Sequence, residues 1–513
     1  MNGAEALIQT AVAAGVDICF ANPGTTELPL VAAMDAVPGI RSVLGLFEGA
    51  CTGAADGYGR MTRKPALTLL HHGPGLANGI ANLHNARRAH SPIVNVVGQH
   101  ATWHIAADAP LNSDIASLAR PVSAWVLSSQ DSSTLADDFA EGIWQAQQPP
   151  GNVATLIVPV DCLTGTASRT APPRIPPSPA CPSEERVMQA ATELRRFGKS
   201  VALLLGSQAL CARGLKVAAR IAAATECALL CDTFPARMER GAGLPAIERI
   251  AYYPEEAIKR LSVFSALVLA GAPEPVAFFG KQGMPSFIAP PGCLKIALSH
   301  PNEDSEAALE SLADALLAPA RGLSSPRLQP SRPTGPLTPR SLAEAILSVQ
   351  PEGMILVDEA ATSGLPHYLL SAGAPPFTYL SLTGGAIGQG LPCATGAALA
   401  CPDRRVLAFQ ADGSGMYTVQ ALWTQARESL NVTTIVCANR SYRVLQLEMA
   451  RMGMKAGPQA RRLTDLTAPV LDWVEISRGL GVPATRADSA ESLVRELETA
   501  FATPGPHLIE AIL

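Results

Sequence analysis

In the segment RVLAFQADGSGMYTVQALWTQARESLNVTTIVCANRSY, Asp412 follows one apolar run and Asn439 closes the next. A carboxylate and an amide oxygen are hard donors, suited to a magnesium ion that keeps several waters and bridges phosphate oxygens. The Ser441 carbonyl offers a third ligand. Gly413 makes the turn, and Ser414, Gly415 and Met416 lie where backbone N–H groups at a helix start can face a diphosphate. A second cluster is LLHHGPGLANG, where His71 and His72 precede a Gly-Pro-Gly turn. Imidazole titrates near neutrality, so a histidine at a strand end can carry protons to and from a substrate. The third is Glu48 in GLFEGACTGAADGYGR, a carboxylate at a helix start, which the helix dipole explains as well as catalysis does.

Such residues need strand ends and helix starts to hold them. Two proline-rich stretches, Leu163 to Arg186 and Leu317 to Arg340, cut the chain into three. Within each third, short apolar runs alternate with longer amphipathic ones: VDICF, RSVLGLF, PALTLL and PIVNVV; SVALLLG, CALLC and SALVLAGA; MILVD, RVLAFQ and VTTIVCAN. Buried strands alternating with helices predict parallel sheets covered on both faces. The fold class is therefore α/β, with three doubly wound parallel-sheet domains over residues 1–165, 185–318 and 338–513. Ligands of such sheets sit beyond the carboxyl ends of strands. Around Asp412 the pattern predicts a strand over 406–409 and a helix from about Tyr417 to Glu428.

Composition narrows the partners. Across 513 residues, 39 Lys plus Arg stand against 44 Asp plus Glu, a net charge of -5 without a basic block, so neither nucleic acid nor an anionic membrane is expected. Apolar residues make up 48% but are scattered, and the N-terminus lacks a signal-peptide pattern, which predicts a cytoplasmic protein with a small-molecule substrate. The eleven cysteines include one close pair, Cys227 and Cys231, with no second pair to complete a zinc site; they read as reduced core thiols.

The ADGSGMY and ANRSY segments together resemble the Gly-Asp-Gly to Asn signature of thiamine diphosphate enzymes, with Ala411 at the first Gly position. The resemblance runs over essentially the whole chain and is to acetohydroxyacid (acetolactate) synthase large subunits, benzoylformate decarboxylase and their relatives. It implies pyrimidine-binding, central and diphosphate-binding domains in that order, with thiamine diphosphate and Mg2+ as cofactors. Asp412, Asn439 and Ser441 would then be the metal ligands. Glu48 would hydrogen-bond the aminopyrimidine and promote the imino tautomer that takes the thiazolium proton. In SLTGGAIGQGLPCATGAALA the Gly385 carbonyl would accept the aminopyrimidine N–H and Ile387 would wedge beneath the thiazolium. Thr362 and Ser363, in DEAATSG, would lie on the diphosphate side. LLHHGPGLANG would face the substrate, with His71 in the place of the decarboxylase's active-site histidine, His72 its neighbour and Asn78 lining the site. ANPGTTELP places Thr25 where a substrate-binding serine sits. His90, His100 and His104 read as structural.

The implied activity is decarboxylation of a 2-oxo acid, with the acyl-carbanion unit transferred or released, as in an acetolactate synthase. The alternatives are a simple decarboxylase of the benzoylformate type and a cofactor-binding homologue without catalysis. Three departures keep these apart: Phe278 stands near the decarboxylase's second histidine, Leu111 replaces the synthase's glutamine, and YRVLQLEMARMG lacks the synthase's tryptophan. A flavin (FAD) is a further alternative, on the strand-to-helix turn LLLGSQA (Leu203 to Ala209), which lacks a full Gly-x-Gly-x-x-Gly pattern. The resemblance also implies a homodimer or a dimer of dimers, a homotetramer, with sites at the subunit interface.

Overall fold

A computed structural model describes residues 1–328 and 330–513. The chain forms two compact units, one of Met1–Pro176, Pro330–His367 and Leu382–Leu513, the other of Pro177–Gln329 and Tyr368–Ser381.

The first unit opens with helix α1 (Gly3–Ala13), capped by Asn2 and Glu5 in a reciprocal capping box. Strands β1 (Ile18–Asn22), β2 (Arg41–Leu44), β3 (Ala66–His71), β4 (Ile93–Gln99), β5 (Trp125–Ser128) and β6 (Val153–Pro159) form a sheet in the order β2-β1-β3-β4-β6-β5. Every pairing in it is parallel. β4 and β6 are buried along their whole length, so they carry the continuous apolar runs IVNVV and VATLIV that a sheet covered on both faces requires. Helices α2 (Leu28–Ala36), α3 (Glu48–Thr62) and α4 (His72–Ala89) follow β1, β2 and β3.

The second unit holds the parallel sheet of β7 (Val201–Leu205), β8 (Ala228–Cys231), β10 (Glu248–Arg249), β11 (Ala266–Ala270) and β12 (Leu294–Ser299), in the order β10-β8-β7-β11-β12. β9 (Met238–Arg240) lies outside this sheet. The LLLGSQA turn is the β7 end followed by a single 3-10 turn at Ser207–Leu210. Phe278 is partly exposed in a cluster of edge-to-face and tilted rings with Phe234, Tyr252 and Phe279.

Back in the first unit, β13 (Ile355–Glu359) belongs to the third sheet, while β14 (Phe377–Ser381) pairs antiparallel with β9 in the second unit. The third sheet continues with β15 (Val406–Ala411), β16 (Val432–Ala438), β17 (Ala484–Ala487) and β18 (His507–Ile512), in the parallel order β17-β18-β16-β15-β13. Helix α5 (Gly390–Ala400) precedes β15 and crosses α3. The two backbones touch: a Cβ on Gly57 would sit 2.1 Å from the Cys393 carbonyl oxygen, and one on Gly396 1.8 Å from that of Ala54. This close crossing explains how glycine-rich α3 stays helical despite poor intrinsic propensity. It is fastened by the buried Asp56–Arg60 pair, whose carboxylate also accepts from Ser91 and Gln389.

Two local expectations change. β15 extends to Ala411, two residues beyond 409. The helix expected from 417 to 428 is broken: a helical turn at Asp412–Gly415 starts directly at the strand end, a 3-10 turn covers Met416–Thr418, and a helix resumes over Ala421–Arg427. The Thr418 hydroxyl donates to the Gly388 carbonyl (2.7 Å), a tertiary bond made at the break.

Candidate active site

Almost every residue singled out from the sequence lies at or just beyond the carboxyl end of a strand: Thr25 after β1, Glu48 after β2, His71 at the end of β3, Thr362 and Ser363 after β13, Asp412 after β15, Asn439 after β16. Parallel sheets bind ligands at this edge.

At the first sheet the turn Thr25–Glu27 buries Glu27 completely. Its carboxylate accepts from the Gly24 N–H (2.7 Å) and the Thr26 hydroxyl (2.6 Å) and lies 2.7 Å from His71 Nδ1. An ionised carboxylate only accepts, so Nδ1 carries the hydrogen, leaving Nε2 of the half-exposed ring for proton exchange. Two glycines make room: a Cβ on Gly24 would overlap the His71 ring at 2.2 Å, and one on Gly98 would overlap Glu27 Oε1 at 1.5 Å. Thr25 is exposed, whereas its neighbour Thr26 reaches both imidazoles, 3.4 Å from His71 Nδ1 and 3.2 Å from His72 Nε2.

The adjacent histidines diverge because their backbones do. His71 is extended, and His72 adopts a left-handed φ of 51° that sends its ring inward to full burial. Burial, then the neighbouring His71 and His100 imidazoles, bring the His72 pKa down to about 4. It is neutral at physiological pH, so no imidazolium is available there as a general acid. His100 packs 4.5 Å from His72 and His104 follows at 5.4 Å, so these two residues extend the row of rings.

Glu48 begins α3 and accepts from the Asn78 amide of α4 (3.0 Å). Further along α4, the Asn82 amide donates to the Gly49 carbonyl (2.8 Å) and to the Gly388 carbonyl (3.3 Å).

At the third sheet Asp412 and Asn439 come together because β15 and β16 are neighbours in parallel register, Ala411 opposite Cys437. The Asp412 carboxylate accepts from the Arg440 N–H (2.6 Å) and the Gly413 N–H (2.8 Å). Asp412 is buried, its pKa is raised mainly by that burial, and among the described residues no lysine or arginine side chain pairs with it. A buried carboxylate without a cation is costly, so the arrangement suits a bound divalent ion. Asn439 Oδ1 accepts from the Ser441 N–H, and the Ser441 carbonyl already accepts from Arg443, with a second lone pair to spare. Ser414 and Gly415 are buried in the helical turn, and Met416 is partly exposed. Thr362 is half-buried and Ser363 buried in the 3-10 turn after β13. Among the described residues no cluster of three His, Cys, Asp or Glu could hold a metal, so a metal here would rely on this mixed carboxylate, amide and carbonyl set.

Sequence reasoning passed over several residues. Glu359, next to the quoted loop residues, is buried and accepts from the Gly388 N–H (2.6 Å) and the Gly390 N–H at the start of α5; burial lifts its pKa to about 7. Glu27 was equally hidden: it lies in a turn read for its threonine, and Glu359 ends β13 in a segment read for Thr362 and Ser363. Asn82 and Asn85 left a signal: with Asn78 they recur at helical spacing in an alanine-rich segment.

Comparison with known proteins identifies the family. Residues 1–118 match the model of the thiamine pyrophosphate enzyme N-terminal TPP binding domain, and residues 363–511 that of the C-terminal TPP binding domain. A Mycobacterium tuberculosis protein named "putative acetolactate synthase large subunit IlvX" is 48% identical over 519 residues, covering 100% of this chain and 99% of its own. Benzoylformate decarboxylase of Pseudomonas aeruginosa is 29% identical, over 97% of this chain and 96% of its own. Among solved structures, the thiamine diphosphate-dependent 4-hydroxybenzoylformate decarboxylase of Rhodococcus jostii RHA1 superimposes with a TM-score of 0.86 at 26% identity, covering 99% of this chain and 98% of its own. No helix among the described residues is long and apolar enough to cross a membrane. The chain belongs to the thiamine pyrophosphate enzyme family, as a thiamine diphosphate-dependent enzyme of the acetolactate synthase and benzoylformate decarboxylase type.

Proposed function

We propose that the protein is a cytoplasmic, Mg2+-dependent enzyme that decarboxylates a small 2-oxo acid and passes the acyl unit to a second carbonyl, as an acetolactate synthase does. The pyrimidine-binding, central and diphosphate-binding roles fall to residues 1–165, 185–318 and 338–513. Thiamine diphosphate supplies, when bound, a nucleophilic carbon and an electron sink for the carbanion left as carbon dioxide departs. Asp412, Asn439 and the Ser441 carbonyl hold the metal; Gly413, Ser414 and Met416, with Thr362 and Ser363, line the diphosphate. Glu48, steadied by Asn78, holds the pyrimidine edge and governs its proton. The Gly385 carbonyl and Ile387 fix the ring orientation. His71, held in one tautomer by Glu27 and with the Thr26 hydroxyl beside its ring, moves protons at the substrate oxygen through Nε2, and exposed Thr25 contacts the substrate.

The observation that carries this reading is the unpaired, buried Asp412 beside Asn439 at adjacent strand ends. The test is to incubate the protein with thiamine diphosphate, Mg2+ and a panel of 2-oxo acids while following carbon dioxide and ligated products. Carbon dioxide release that needs both cofactors, with a hydroxyketone acid as product, is the expected result. Cofactor binding without turnover of any 2-oxo acid would leave a non-catalytic homologue, and aldehyde as the sole product a simple decarboxylase.

A further inference from the structure

The segment from Thr383 to Gly388 is held by side chains that grip its backbone at alternate residues. The Asn85 amide donates to the Ala386 carbonyl (2.7 Å), while its oxygen accepts from the Ala386 N–H (3.2 Å), the two-bond pattern of a strand partner. His84 Nε2 lies 3.1 Å from the Gly384 carbonyl. The Gly388 carbonyl accepts from Asn82 and Thr418, and the Gly388 N–H donates to Glu359. Thr383 donates to the Asn85 carbonyl (2.8 Å) and accepts from Arg60 (3.0 Å).

Residues 384, 386 and 388 are thereby tied. Gly385, exposed and at a φ of 74°, and Ile387, half-buried, have no hydrogen-bond partner among the described residues. The ties at Gly384 and Ala386 hold both neighbours of Gly385 and so fix its left-handed peptide while leaving its own carbonyl free. Asn82 and Asn85 are both buried, and asparagine is a poorer helix former than the alanines around it, so the stripe costs α4 propensity that the clamp explains.

We infer that Asn85, supported by His84 and Asn82 on α4, is a positioning residue that sets the Gly385 carbonyl for the aminopyrimidine edge of the cofactor. This rests on the proposed reading of Gly385. Among the described residues Asn85 hydrogen-bonds Asn82, Thr383 and Ala386 and no diphosphate-side residue, so its effect is confined to one end of the cofactor.

That confinement is measurable by calorimetry on the full chain, using thiamine diphosphate with Mg2+ and inorganic diphosphate with Mg2+ as separate probes. The wild type is expected to bind the complete cofactor more tightly than diphosphate alone. Asn85→Ala should weaken thiamine diphosphate on the order of tenfold, the scale of one to two lost hydrogen bonds, and leave diphosphate within about twofold. Equal losses on both probes would make Asn85 merely structural and overturn the inference; so would no loss on either. If Asn85→Ala does not fold, Asn85→Asp, which keeps the acceptor but not the donor, and His84→Ala carry the comparison, and the inference falls unless one of them shows the selective loss. A wild type that binds diphosphate and thiamine diphosphate equally refutes the reading of Gly385 itself, a result no Asn85 variant could produce.

Discussion

His72 provides a pH-dependent prediction that separates the two adjacent histidines. Its ring is fully buried, its Nδ1 has no hydrogen-bond partner among the described residues, and its pKa falls from 6.5 to about 4. In the unfolded chain the same imidazole titrates near its ordinary value. Between those two values the unfolded state binds the proton that the folded state refuses, so stability is intact above 6.5 and is lost as pH falls through about 4. The 2.5-unit gap is worth about 3 kcal/mol in full, and about 2.5 kcal/mol at a pH of about 4.5.

His72→Asn is the informative replacement, because asparagine tolerates the left-handed backbone at this position. The cavity it leaves costs the same at every pH, so the variant is less stable near neutrality and loses less on acidification. Urea unfolding at pH about 7 and about 4.5 should show the wild-type advantage shrinking by about 2 to 3 kcal/mol. An advantage that stays constant within about 0.5 kcal/mol would show that His72 is not held neutral, and the assignment of proton transfer to its neighbour would lose its basis.

The other expectations concern the cofactor. Asp412→Ala should weaken thiamine diphosphate binding on the order of 10-fold to 100-fold; unchanged affinity by calorimetry would remove Asp412 from the metal site. Glu48→Gln should slow hydrogen–deuterium exchange at the thiazolium C2 by roughly 10²-fold, whereas His71→Ala should leave that exchange nearly intact and lower turnover of the 2-oxo acid. Turnover that survives His71→Ala but not His72→Asn would reverse the two assignments. If, as the sequence resemblance implies, sites lie at the subunit interface, with the pyrimidine domain of one subunit facing the diphosphate domain of another, mixing Glu48→Gln with Asp412→Ala subunits should rebuild one intact site per dimer; an active monomer in light scattering would rule this out.

The parallel sheets were legible because their strands are continuous apolar runs, as in PIVNVV and RVLAFQ, and these became β4 and β15. The proximity of Asp412 to Asn439 was legible for the same reason: both close runs that pair in register. The helix after Asp412 was legible only in part, since Ala421–Arg427 falls inside the expected span but the turns before it do not continue it. Its pattern is amphipathic over 417–428, but the tertiary bond from Thr418 to Gly388 and the early turn at Asp412–Gly415 override local propensity. Glu27 and Glu359 escaped notice because a carboxylate's burial depends on which backbone N–H groups converge on it, here Gly24 for one and Gly388 with Gly390 for the other. That convergence is a property of the folded chain alone.

Helix α4 contacts both Glu48 and the Gly385 loop, which under the subunit-sharing prediction belong to two different sites. At its start a single backbone sign change separates His71, turned to Glu27 and solvent, from His72, turned into the protein. One turn and more along, Asn78 steadies Glu48; two turns beyond that, Asn85 grips Ala386. At a rise of about 1.5 Å per residue, Asn78 and Asn85 stand about 10 Å apart on one face. Glu48 and the Gly385 loop are therefore referenced to the same rigid rod, and a shift of α4 must displace both together. Conservative changes in its buried seam, Leu76 or Leu83 to smaller residues, should for this reason disturb cofactor binding as well as stability.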